Sequence, residues 1–250
     1  MQDKQSVYDK DGFFDLYQKL RSNPNSLNEI VEKPTMLGLV GDVLDKRILD
    51  LGCGCGEHLK LYLERGAAFA AGIDLSQAML QQAAKNLAEF RPHFLLEQAS
   101  MERLDQLNEG GFDLITSSFA FHYVQDFPAL LAKIHAKLKP NGQLVFSQEH
   151  PIVTCYQGGE RWEKDAQKRQ LAYRLNFYRD EGERQRNWFK QPFTTYHRTT
   201  ATIINNLISA GFHIEQMAEP MLADQPQWQD EFKDLQHRPV LLFVKARKNT

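Results

Sequence analysis

The chain has 250 residues, 30 Lys/Arg against 32 Asp/Glu, a formal net charge of −2 and 42% hydrophobic residues. That length suits one large α/β domain or two small ones, and the near-neutral balance carries no overall footprint for nucleic acid or an anionic membrane. No apolar run approaches the roughly 20 residues of a bilayer span. The opening MQDKQSVYDK lacks the apolar core of a secretion signal, and three cysteines do not make a disulfide framework. A cytoplasmic protein, monomeric or homodimeric, is expected.

Residues 1–46 read as a polar, helical cap interrupted at Gly12, Asn23, Pro24 and Pro34. Residues 46–51 are a short apolar run ending in glycines, expected as a buried strand. Residues 57–65 follow as a helix stopped by Gly66, and 68–74 as a second strand. Ser76 then caps a helix whose Met79, Leu80, Ala83, Ala84 and Leu87 keep the i, i+3, i+4 spacing. Strands are expected at 93–97, 112–117 and 144–147, with a helix before the last whose apolar face is Phe127, Leu130, Leu131, Ile134 and Leu138. The βαβαβ alternation implies a parallel sheet with helices on both faces, and a ligand at the carboxyl ends of its strands. Residues 150–197 lose the period, mixing aromatic, charged and glycine residues; they are expected to hold small elements of their own and to lie over the site. A helix closed by Gly211 and a strand at 239–244 finish the chain.

Two motifs carry chemistry. Ile48-Leu-Asp-Leu-Gly-Cys-Gly-Cys-Gly-Glu-His58 is a strand running into a turn with Gly52, Gly54 and Gly56 at alternate positions. Glycines there let the backbone take unusual dihedrals and approach a ligand closely. Gly72-Ile-Asp-Leu-Ser76 ends the second strand in an acid, Asp74, placed to accept hydrogen bonds from ribose hydroxyls. Dinucleotide-binding domains share this logic but space their glycines G-x-G-x-x-G. Here the spacing is strict alternation, with Asp50 two residues before Gly52.

That pattern resembles the class I S-adenosylmethionine (SAM)-dependent methyltransferases, over roughly residues 15–250. The resemblance implies a Rossmann-like sheet of seven strands, mostly parallel, with the last antiparallel and an insertion after strand five. It implies one SAM-binding domain, residues 1–250, with the insertion at 150–197 as a lid. It also implies methyl transfer by in-line displacement, with SAM as cofactor and S-adenosylhomocysteine as product. Asp50, Gly52, Cys53, Gly54 and Gly56 would form the cofactor turn, and Asp74, with Leu75 and Met79, the ribose side. Ser100, Met101 and Glu102 fall where the family binds adenine, Ser100 standing where an Asp is frequent. Ser117 and Ser118, in a segment similar to the family's fourth-strand motif, would sit near the methionine part. Phe146-Ser-Gln-Glu-His-Pro-Ile152, Tyr196-His-Arg-Thr199 and Ala210-Gly-Phe212 are similar to a bacterial small-molecule branch with no assigned substrate.

His150, His122, Tyr123 and His197 are the candidate acid/base groups; each is equally a residue that anchors a loop or caps a helix. Cys53 and Cys55 have no second pair at zinc spacing, so no metal is expected. The stretch 150–198 carries ten Lys/Arg against six Asp/Glu, interleaved with aromatics. It could hold an acidic aromatic or lipid-like substrate, or form a solvated surface with a small core. No Asn/Asp-Pro-Pro-Tyr follows strand four, which argues against methylation of nucleobase amino groups. A small-molecule acceptor is the favoured reading; an RNA methyltransferase and a SAM-binding protein without turnover are the alternatives.

Overall fold

The computed structural model describes residues 7–9, 12–221 and 232–249. The predicted cap at 1–46 therefore lies partly outside the described residues. Its described part is helical: α1 (Phe13–Arg21), a π-helical turn (Asn28–Glu32) and α2 (Lys33–Val40), with Gly12 capping α1 at φ 71° and Pro34 in the first turn of α2.

The predicted alternation follows: β1 (Arg47–Leu51), α3 (Glu57–Glu64), β2 (Phe69–Asp74), α4 (Gln77–Asn86), β3 (Phe94–Gln98), β4 (Phe112–Ser117), α5 (Phe127–Lys137) and β5 (Leu138–Glu149). The Ser76 hydroxyl accepts from the Met79 N–H, as its N-cap position demands. The insertion holds a short helix, α6 (Pro151–Thr154), and two antiparallel ribbons. The first pairs β6 (Trp162–Lys164) with β7 (Gln170–Tyr173); the second pairs β8 (Gly182–Trp188) with β9 (Gln191–His197). The chain closes with α7 (Thr200–Ser209), β10 (Phe212–Ala218) and β11 (Leu241–Lys248).

The main sheet has seven strands in the order β10-β11-β5-β4-β1-β2-β3, with β11 antiparallel to both neighbours. Strand alternation divides its side chains between two layers. Ile48, Leu114, Val145, Leu241 and Phe243 face α2 and Tyr62 of α3. Leu49, Ile115, Leu144, Phe146, Leu242 and Val244 face α5 and α7. Gly72 on β2 is required by packing: a Cβ there would lie 2.6 Å from Leu59 Cδ1 and 2.7 Å from Cys53 Sγ.

Candidate functional site

Strand order reverses between β1 and β4, and a crevice opens there at the carboxyl ends of the strands, where α/β sheets take ligands. The cleft measures about 1760 Å³ and is lined by Gly52 after β1, Asp74 at the end of β2, Ser100 after β3 and Ser118 after β4. Single-ligand pockets span about 300–1,000 Å³, so there is room for two small ligands side by side.

The glycine turn forms one wall. Gly52, Gly54 and Gly56 have φ of 74°, 52° and 74°, the left-handed region that costs other residues energy. Gly52 and Cys53 donate their N–H groups to the Ile73 carbonyl at 2.8 and 3.0 Å, tying the turn to β2. A Cβ on Gly52 would lie 2.9 Å from Ala120 Cβ and 3.2 Å from Met101 Cε; a Cβ on Gly54 would meet nothing. The turn is thus closed behind and open toward the cleft, a cradle into which a ligand can press against bare backbone. Cys53 packs into the core beside Leu59, and burial pushes its thiol well above the usual range. Cys55 Sγ lies 3.4 Å from Met79 Sδ.

Asp74 bridges the turn and α4. Its Oδ2 accepts from the Gly54 N–H at 2.9 Å and its Oδ1 from the Ser76 N–H at 2.8 Å. Each carboxylate oxygen has a second lone pair, so the group can still take two hydroxyls from the cleft. Burial raises its pKa, and the two backbone donors pull it back. Leu75 and Met79 continue this wall. Ser100 caps the 3₁₀ turn Met101–Gln106 by accepting from the Glu102 N–H at 3.2 Å, while Glu102 Oε1 accepts from the Gln125 N–H at 3.1 Å. Met101 lies on the same wall. Asp50 sits beneath the turn, accepting from Thr116 Oγ1 at 2.8 Å; burial pushes its carboxyl up to about 6.

Of the four candidate acid/base groups only Tyr123 lines the cleft. His122 is buried against Phe119 and Tyr123, and burial lowers its pKa to about 4. His150 caps α6 through the Ile152 N–H and pairs with Glu219 at 2.9 Å. His197 is held between Thr154 Oγ1 at 2.7 Å and the Tyr178 carbonyl at 2.8 Å. These three rings join elements behind the cleft; both nitrogens of His150 and His197 have partners, and His122 Nδ1 accepts from the Glu149 N–H at 3.4 Å. Ser117 also falls outside: it is fully buried and donates to the Leu51 carbonyl at 2.8 Å, because alternation along β4 turns it inward. Ser118, one residue on, reaches the cleft and donates to Glu32 Oε1 at 2.6 Å.

Other lining residues lie outside the sequence motifs, although the insertion's aromatics were expected over the site and Trp188 is one of them. Tyr8 and Tyr17 come from the N-terminal cap, and their rings meet edge to face at 5.0 Å. Trp188, from the β8–β9 ribbon, approaches both, at 6.2 and 5.9 Å. The cap and the insertion therefore meet over the cleft. Arg21 pairs with Glu57 at 2.5 Å on its rim. His58 follows the glycine turn and places Nε2 3.9 Å from the buried Glu32 Oε2. None of the ten insertion cations lines the cleft, so the expectation of an acidic aromatic held by these charges fails. Three of them serve the fold: Arg186 pairs with Glu149, Arg169 with Asp165, and Arg198 donates to the Val124 and Gln125 carbonyls. No described helix is long and apolar enough to cross a membrane.

Known proteins place this architecture. A methyltransferase-domain family model matches residues 48–142, the span from β1 to the first residues of the fifth strand. A Haemophilus influenzae protein of uncharacterized function is 66% identical over 99% of both chains. The crystal structure of an S-adenosylmethionine dependent methyltransferase from Mesorhizobium loti is 34% identical, covering 89% of this chain and all of that one, with a TM-score of 0.77. A Listeria monocytogenes structure assigned to the same class has 32% identity, coverage of 88% and 98%, and the same TM-score. Partial matches include a ubiquinone biosynthesis O-methyltransferase of Neisseria meningitidis, 36% identical over 42% of this chain and 45% of that one. A trans-aconitate 2-methyltransferase of Deinococcus radiodurans is 36% identical over 39% and 36%. The open glycine cradle and the half-buried carboxylate suit an adenosyl ligand, and the chain belongs to the class I S-adenosylmethionine-dependent methyltransferases, with S-adenosylmethionine as its cofactor.

Proposed function

We propose that this methyltransferase acts on a small molecule held in the same cleft as the cofactor, beneath a lid formed by the N-terminal cap and the β8–β9 ribbon. The observation that carries this reading is the enclosure: the glycine cradle and the Tyr8–Tyr17–Trp188 contact bound one cavity with room for two ligands. The partial relatives named for ubiquinone biosynthesis and trans-aconitate support a small acceptor.

In this reading Gly52 and Gly54 lie against the cofactor, Asp74 takes the ribose hydroxyls, and Ser100, Met101 and Glu102 face the adenine. Leu75 and Met79 pack beside the ribose. Asp50 and Ser118 act from below, Asp50 through the turn it supports. The bound cofactor supplies a methyl group already activated on a sulfonium, so the chain's task is alignment of the acceptor and exclusion of water. Tyr123 orients rather than deprotonates: burial raises its hydroxyl above the ordinary tyrosine value, so it stays protonated at neutral pH. An RNA acceptor would draw on the insertion's cations, which lie away from the cleft.

Calorimetry with SAM and S-adenosylhomocysteine tests the site. Hydrogen bonds to a charged group contribute about 1.5–3 kcal/mol, so Asp74→Ala is expected to weaken both ligands by roughly 10- to 150-fold. Unchanged affinity would remove Asp74 from the site. RNA binding that falls steeply with salt would replace the small-molecule reading.

A further inference from the structure

We propose that the acceptor is a planar aromatic compound, neutral or cationic, bound against a wall made by Tyr8, Tyr17, Tyr123, Trp188 and Phe193. This rests on the small-molecule reading above and specifies its substrate class.

The wall is assembled from three separate parts of the chain. Tyr8 and Tyr17 belong to the N-terminal cap, Tyr123 to the turn after β4, and Trp188 and Phe193 to the β8–β9 ribbon, and all five line the cleft. Their rings form a continuous chain of contacts. Tyr8 meets Tyr17 and Trp188, Trp188 meets Phe193 at 6.5 Å, and Phe193 meets Tyr123 at 6.1 Å. Each is half-buried, so part of its surface faces the cavity and not the core. Flat, rigid rings on several sides select a flat ligand through offset and edge-to-face contact.

Charge sets the second half of the class. Among the described residues the lining carries five acids, Asp50, Glu57, Asp74, Glu102 and Asp126, against two arginines, Arg21 and Arg103. Arg21 is already held by Glu57. The phenols add no charge of either sign: burial keeps Tyr8, Tyr17 and Tyr123 protonated and neutral. An anionic acceptor entering this cavity meets a net negative wall, whereas a cationic one gains from both the acids and the ring faces. The ten insertion cations cannot reverse this, since none lines the cavity.

The test uses the full chain saturated with S-adenosylhomocysteine and three probes of one shape and different charge: tryptamine (cationic), indole (neutral) and indole-3-acetate (anionic). Calorimetry is expected to show saturable binding of tryptamine and indole, with tryptamine at least tenfold tighter than indole-3-acetate. Trp188→Ala and Phe193→Ala are each expected to weaken tryptamine at least tenfold while S-adenosylhomocysteine affinity stays within threefold, which also shows that the variants fold. Binding of indole-3-acetate as tight as tryptamine, binding of none of the three, or a Trp188→Ala chain that binds tryptamine like the parent would each overturn the proposal. Failure of the parent chain to take S-adenosylhomocysteine would instead overturn the cofactor site on which it rests.

Discussion

Asp50 and His122 are both buried beside the cleft, and their titrations pull stability in opposite directions. The folded chain holds a proton on Asp50 up to about pH 6, whereas the ordinary carboxyl loses it near 3.8. The folded state therefore binds more protons between these values, and this group's contribution falls as pH rises from about 4 to 6. His122 does the reverse: unfolded it takes a proton below about 6.5, folded only near 4, so its contribution falls as pH drops through that window. Asp50→Asn removes the first slope and keeps an acceptor for Thr116. It is expected to add about 3 kcal/mol above pH 6, the worth of roughly two pKa units, and nothing below pH 4. Thermal melts across pH 4–8 check this; a variant with the parent's pH profile would show that Asp50 is ionised in the fold. At this scale the glycine turn and Asp74 were legible because their chemistry is local: a positive φ and a strand-end carboxylate are written in a few consecutive residues. His150, His197 and Ser117 were not, because proximity to a strand end does not say which way a side chain turns.

Among the elements, the two ribbons of the insertion differ in their relation to the cleft. The β6–β7 ribbon contributes no lining residue, whereas β8–β9 contributes Trp188, Pro192, Phe193 and Thr194. Replacing residues 161–174 by a short Gly/Ser linker is accordingly expected to leave S-adenosylhomocysteine affinity within threefold, by calorimetry. A loss of tenfold or more would give that ribbon a part in the site. The ribbons escaped prediction because strands such as Gly182–Trp188, GERQRNW, are largely polar and bury little on either face. β10 escaped for the same reason: it is an edge strand with most of its side chains outward, so no alternation betrays it. The central strands were plain, since burial on both faces demands unbroken apolar runs.

Over the whole molecule, stability rests on the central layer between the sheet and α5. Phe146 is fully buried there, with its ring 4.8 Å from Phe121 and 6.3 Å from Phe127. Phe146→Ala is expected to cost about 3–5 kcal/mol, and so to lower Tm by roughly 6–20 °C. A shift under 3 °C would mean that the layer collapses around the gap. The sequence by itself determined the βαβ alternation, the glycine turn and the family, because strand periodicity, capping and glycine dihedrals act over a few residues. Only the tertiary structure decided which aromatic side chains line the cleft. Tyr8, Tyr17, Tyr123, Trp188 and Phe193 are brought together by packing of the cap and the insertion across the sheet end, and the same packing turns the insertion's cations away. No local pattern encodes that, because it depends on contacts between segments up to 180 residues apart.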